Sequence, residues 1–216
     1  MAFYQLVKNS ASYKNYAFDV SVSNCGKSNT SGHQAFGIEY GDILISNINS
    51  TKNKCYQFSS TYSILWGSSG TCNFSTFRKN NQEETGSLIF GSKDQSLTQT
   101  VSYCNVIGNR CGTGTGQILF SGSYSTNVDH CIFLNNIAEY MFSGVTLTIS
   151  DSYVDTNSTP PYGNNIIFEN LTVNYNFNNF THYYIENCFR VPKEITIKLS
   201  YLSKFVKSIS PSLLSS

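Results

Sequence analysis

Asp129 and His130 are adjacent in the run Asn127-Val128-Asp129-His130-Cys131. A carboxylate beside an imidazole can hold a cation or pass a proton, but only if further carboxylates or a base face the same ligand. Asp151 and Asp155 stand close in sequence, as do Glu83 and Glu84. Two carboxylates held across a glycosidic bond would cleave it. Seven cysteines, Cys25, Cys55, Cys72, Cys104, Cys111, Cys131 and Cys188, add thiols. None belongs to a CxxC pair or to a His-containing cluster of zinc spacing. Their odd number leaves at least one thiol unpaired. Gly112-Thr113-Gly114-Thr115-Gly116 is glycine-rich, but no Gly-Lys-Ser/Thr follows, so it reads as a turn and not as a phosphate loop. Ser, His and Asp all occur, without a nucleophile elbow to hold them. No catalytic, metal-ligating or cofactor-binding residue is assigned on this basis.

The elements that would position these groups come from an internal repeat. Five segments align without gaps: Ile43–Thr51, Cys72–Asn80, Val101–Asn109, Val128–Asn136 and Ile149–Asn157. Their small central residues are Ser46, Ser75, Cys104, Cys131 and Ser152, at steps of 29, 29, 27 and 21 residues. Three residues before each centre stand Ile43, Cys72, Val101, Val128 and Ile149; two after it stand Ile48, Phe77, Val106, Phe133 and Val154. Chance gives a wholly apolar column roughly 1 time in 100 at this composition. The centre and the +2 residue share strand parity, whereas the −3 residue has the other. A bend between −3 and the centre turns all three inward. Thr51, Asn80, Asn109, Asn136 and Asn157 then mark the following turn, where Asn tolerates left-handed backbone and can bond to its copies along a stack.

A second apolar run precedes each bend, at Ser87–Gly91, Gln117–Ser121, Tyr140–Gly144 and Asn165–Phe168. Runs this short, bounded by Gly or Ser, read as strands. Further strands are expected at Ala17–Val22 and Ala35–Tyr40. The pattern implies an all-β right-handed parallel β-helix, a β-solenoid of about five to seven coils. Residues 1–42 form N-terminal coils or a cap, 43–168 the regular coils, and 169–216 a degenerate coil at Tyr184–Phe189 with a C-terminal cap or tail.

This alignment decides the chemistry. The column of Asp129 holds Leu44, Asn73, Ser102 and Ser150 in the other segments, so no carboxylate stacks on it. Neither Asp151 nor Asp155 meets a stacked carboxylate. These acids are expected to be solvated. Cys104 and Cys131 share the central column, where parallel side chains disfavour a disulfide dihedral and favour buried free thiols.

Composition narrows the partners. Of 216 residues, 12% are charged and the net charge is +1. No basic stripe is evident, and Arg78, Arg110 and Arg190 are dispersed in sequence, so nucleic acid is not an expected partner. The N-terminus lacks a basic n-region with an apolar h-region, and no run reaches transmembrane length, so no membrane insertion by this segment is expected. Six sequons, at Asn29, Asn49, Asn73, Asn157, Asn170 and Asn179, are about what chance yields from so much Asn, Ser and Thr.

Phe77-Arg78-Lys79-Asn80 and Phe133-Leu134-Asn135-Asn136 form FxxN tetrapeptides, with Val variants at Val106–Asn109 and Val154–Asn157. Gly86-Ser87-Leu88-Ile89 and Gly116-Gln117-Ile118-Leu119 are similar to a GG[ALV]I motif. Phased in this way over residues 43–168, they resemble the repeats of chlamydial polymorphic membrane proteins and of the related trichomonad surface family. That resemblance implies an exported, membrane-anchored parent whose β-helix serves adhesion or antigenic variation. The run around Asp129-His130 is in turn similar to the IDH region of pectate lyases, also β-helices. The expected function is a non-enzymatic surface or adhesion module, probing a host or cell-surface protein or glycan, and a fragment of a larger exported protein. A pectate-lyase-like carbohydrate-active enzyme and a fragment with no role of its own are the alternatives. Tyr103, Ile132 and Tyr153, flanking the inward columns, are the expected outward binding face.

Overall fold

Short apolar runs broken by Gly, Asn and Ser cannot sustain a helix but suit pleated strands. The computed structural model describes residues 2–28, 30–65, 69–83, 86–92, 95–112, 116–161 and 163–172. Among them all regular structure is β, in sheets of eleven, six and two strands. Every strand pairing is parallel, and each strand pairs with its counterpart in the preceding or following repeat. The chain divides into two compact units, Met1–Phe177 and Asn178–Ser216. The stack belongs to the first. The tail 193–216, the coil expected at Tyr184–Phe189, Cys188 and Arg190 lie outside the described residues.

Two inward columns carry the core. One runs Ala17, Ile45, Cys72, Val101, Val128, Ile149 and Phe168, in register from strand to strand. The other runs Val22, Ser50, Phe77, Val106, Phe133 and Val154 on the six-stranded sheet. All of these are buried except Phe168 and Val154, which pack against the core half-buried. Leu88, Phe120 and Phe142 stack as a third column, and Phe142 meets Phe133 edge-on at 4.9 Å between ring centroids.

The asparagines close the turn as a ladder. The backbone N–H of Asn53, Asn80 and Asn109 donates to the side-chain Oδ1 of Asn80, Asn109 and Asn136 at 2.9, 3.1 and 2.9 Å. The side-chain amides of Asn80, Asn109 and Asn136 donate to the carbonyls of Ser50, Phe77 and Val106. Each buried Asn thus satisfies both a donor and an acceptor of the preceding repeat, three residues apart, which is why the column is Asn.

Three details differ from expectation. The first segment is displaced by two residues: Ile45, not Ile43, aligns with Cys72, and Ile48, not Ser46, stands at the centre, its N–H donating to Ser75 Oγ. Ser50 therefore takes the inward place opposite Phe77, and Asn53, not Thr51, joins the ladder. The offsets between consecutive repeats become 27, 29, 27 and 21 residues. Asn157 is exposed and outside the ladder, which ends at Asn136. Asn165–Phe168 does not belong with the second runs: Ile166–Glu169 pairs with Leu147–Ser150 and extends the Ile149 column.

One inter-strand loop disappears along the stack. Leu88–Ser92 and Thr98–Ser102 are separate strands, but both pair with the single strand Ile118–Asp129, which lacks the intervening loop. Its register shifts between Gly122 and Ser125. A Cβ on Gly122 would sit 2.7 Å from Thr126 Oγ1, so only glycine fits this irregularity.

Candidate functional site

The bend between the large sheet and the six-stranded sheet is made by one residue per repeat. Asp19, Asn47, Phe74, Tyr103, His130, Asp151 and Asn170 occupy it, with φ between 46° and 56°. Left-handed backbone is cheap for Asn and Asp and costs roughly 1–2 kcal/mol for Phe, Tyr or His. Stacking offsets that cost. The Phe74 and Tyr103 rings lie 5.3 Å apart at 11°, and Tyr103 and His130 lie 5.1 Å apart. At the N-terminal end the Asn47 amide donates to the Asp19 carboxylate.

The C-terminal half of this row carries the titratable groups. His130 Nδ1 lies 2.7 Å from Asp129 Oδ2, and Ser150 Oγ donates to Asp129 Oδ1 at 3.1 Å. One ligand atom each from Asp129, His130 and Asp151 fall within 4.8 Å of one another. Asp129 and His130 are half-buried and Asp151 is exposed. One imidazole nitrogen and two carboxylate oxygens suit a divalent metal of intermediate softness, after a small closure of the side chains. The same set can orient the imidazole as a proton acceptor.

No carboxylate stacks on Asp129 within its column, as expected, but one reaches it from outside that column. Its own column, Ser46, Asn73, Ser102, Ser150 and Glu169, puts only the Ser150 hydroxyl beside it. Asp151 comes from the adjacent corner row, because the left-handed bend turns that side chain toward the preceding repeat. Asp155 is engaged elsewhere, accepting the Asn135 N–H. The corner row was visible as the −1 column of the alignment, a signal that a same-column comparison passes over.

The expected binding face separates. Tyr103 is half-exposed in the corner row, its ring between Phe74 and His130. Ile132 and Tyr153 are 1% and 8% exposed, so they are not a solvent face. Parity assigns them to the side of the sheet away from the core, and they stand outside the core cluster, but that side is covered at this point. Phe74, 57% exposed, is the surface aromatic that the parity argument missed.

The cations also regroup. Asn24, Lys52, Lys79, Gly108 and Asn135 form a second left-handed row at the far end of the short strands. Arg78 precedes Lys79, and Arg110 bridges to Asn81, the partner of Lys54. Arg78 is in register with Ile107, three residues before Arg110, so both flank the turn that carries Lys52 and Lys79, and this edge amounts to a short basic stripe.

Cys104 and Cys131 are buried and free, with the Cys104 N–H donating to Cys131 Sγ at 3.4 Å. Burial pushes both thiols well above their ordinary range and pushes Cys111 up to about 12. Such thiols act as compact core groups and not as nucleophiles. Compared with protein-family models, with curated proteins and with solved structures, the chain gives no match.

Proposed function

We propose that the chain is a right-handed parallel β-helix acting as a surface or adhesion module, similar in kind to the polymorphic membrane proteins, and that its lateral rows meet a protein or glycan partner. The observation that carries this reading is the register. Parallel strands offset by one repeat bring residues 27 or 29 apart into contact, so outward side chains line up in axial rows. Parallel crossovers are right-handed in nearly all sheets, which sets the hand. The FxxN likeness gains a physical meaning: Phe77 and Phe133 fill the core column while Asn80 and Asn136 hold the ladder. A stack of this kind offers long exposed rows in place of a deep cleft. The test is binding of labelled protein to intact cells and to arrayed surface glycans and proteins. Saturable binding, competed by unlabelled protein, is expected; its absence on every surface would overturn the reading.

A second reading, a polysaccharide lyase, is favoured by one observation, the grouping of Asp129, His130 and Asp151. It requires Ca²⁺ held by the carboxylates and a base aimed at the sugar.

A further inference from the structure

Lys52, Lys54, Arg78, Lys79 and Arg110 are spread over 59 positions of sequence yet share one edge of the stack. Lys52 and Lys79 are consecutive members of the left-handed row, with φ of 56° and 53°. Arg78 is in register with Thr51, and the Lys52 N–H donates to its carbonyl at 2.9 Å. Lys54 pairs with Asn81, which bridges to Arg110. Strands in register lie about 4.8 Å apart, so five cations occupy roughly 10 Å of stacking axis. Four of them are exposed; Arg78 is half-buried, and its Nε is enclosed without a hydrogen-bond partner.

Among the described residues no ion pair falls on this edge: the pairs are Lys14–Asp42 and Asp129–His130. The nearest acid in sequence, Glu83, borders the edge and has contacts of its own. Like charges in register on neighbouring strands repel. The backbone does not ask for lysine either. Other repeats place Asn24, Gly108 and Asn135 in the row, residues that accept left-handed backbone at lower cost. Lys52 and Lys79 therefore bear both strain and mutual repulsion, which an anionic partner would offset.

We propose that this edge docks a linear acidic polysaccharide, sulfated or uronic, laid along the stacking axis. Such a chain carries charge on successive sugars, at a spacing of the same order as the strand spacing. Single-stranded nucleic acid would also seek aromatic faces for its bases. The aromatic row sits at the opposite corner, and its Tyr103 ring already lies between Phe74 and His130. The proposal rests on the surface-module reading and names a partner class for it.

The experiment measures binding of the purified full chain to heparin, to polygalacturonate and to oligo-dT, at low salt and at about 0.5 M salt, where charges beyond a few ångströms are screened. Binding to at least one of the two glycans is expected, lost at high salt; which one binds separates sulfate from carboxylate recognition. The double variant Lys52→Gln/Lys79→Gln should bind about tenfold more weakly, a loss of about 1.4 kcal/mol. Lys8→Gln/Lys14→Gln, which removes two cations elsewhere, should bind as the parent does. Circular dichroism melting verifies that the variants fold. Failure to bind either glycan, an unchanged Kd in the first variant, or tighter binding to oligo-dT would overturn the proposal. If intact-cell binding nevertheless persists in Lys52→Gln/Lys79→Gln, the surface reading stands and only the acidic-glycan assignment falls.

Discussion

A buried asparagine in this chain serves two neighbours at once. Asn109 accepts the Asn80 N–H at 3.1 Å and donates to the Phe77 carbonyl at 2.9 Å. Replacing it with alanine leaves both backbone groups enclosed and unpartnered, at roughly 1–3 kcal/mol each. Asn109→Ala should therefore cost about 2–4 kcal/mol in urea unfolding, and Asn109→Asp should not rescue it, because the donor is still missing. A cost under ~1 kcal/mol would mean that water satisfies the turn. The cysteines make a second prediction at this scale. Thiolate is the reactive form, and the raised pKa of Cys104, Cys111 and Cys131 keeps them neutral at pH 8. Alkylation of native protein at that pH, mapped by mass spectrometry, should mark half-exposed Cys25 while those three stay unmodified until denaturant is added. Rapid labelling of Cys104 in the native state would contradict its place in the core.

The strand is the scale at which the sequence was most and least readable. Phe77, Val106 and Phe133 announced an inward column because nothing else explains three apolar residues at one phase, and they are buried to 1% or less. The first repeat was misaligned for a physical reason. Ile43 and Ile45 both face inward, and a two-residue slip preserves strand alternation, so hydrophobicity cannot tell the registers apart. Hydrogen bonding can: only Asn53, not Thr51, reproduces the ladder. The corner cluster was missed because Asp129 and Asp151 belong to different rows, which a column-by-column comparison never places together. At this scale Phe133→Ala should destabilise by about 3–5 kcal/mol, as for buried aromatics. Phe133 touches Phe120 and Phe142, in its own and the following repeat, so the damage should be local. Hydrogen exchange should show lost protection at Ile107, Leu134 and Val154 and unchanged protection at Ala17. Uniform loss along the whole stack would instead mean one cooperative core.

Across the whole molecule a net charge of +1 conceals two edges of opposite sign. Asp19 and Asp151 stand in one left-handed row, with Asp129 just before its His130, and Lys52 and Lys79 stand in the other. The two rows are five residues apart along the chain, from His130 to Asn135, and extended backbone of that length spans roughly 15 Å. A lyase acting at Asp129 needs Ca²⁺ on the sugar carboxylate and a base at the adjacent carbon, both within a few ångströms. The basic edge cannot supply that base across such a span. His130 could act through its Nε2, but both oxygens of Asp129 are then already engaged, Oδ2 by His130 Nδ1 at 2.7 Å and Oδ1 by Ser150 Oγ at 3.1 Å, which leaves Asp151 alone to hold Ca²⁺. Purified protein incubated with polygalacturonate and Ca²⁺ should therefore release no unsaturated product, followed by its ultraviolet absorbance, even where it binds the polymer. Binding without turnover would match an adhesive stack with a glycan on its basic edge. Turnover abolished by Asp129→Ala, with Lys52→Gln/Lys79→Gln still active, would replace the adhesion reading with the enzyme and move the centre of function from the second corner to the first.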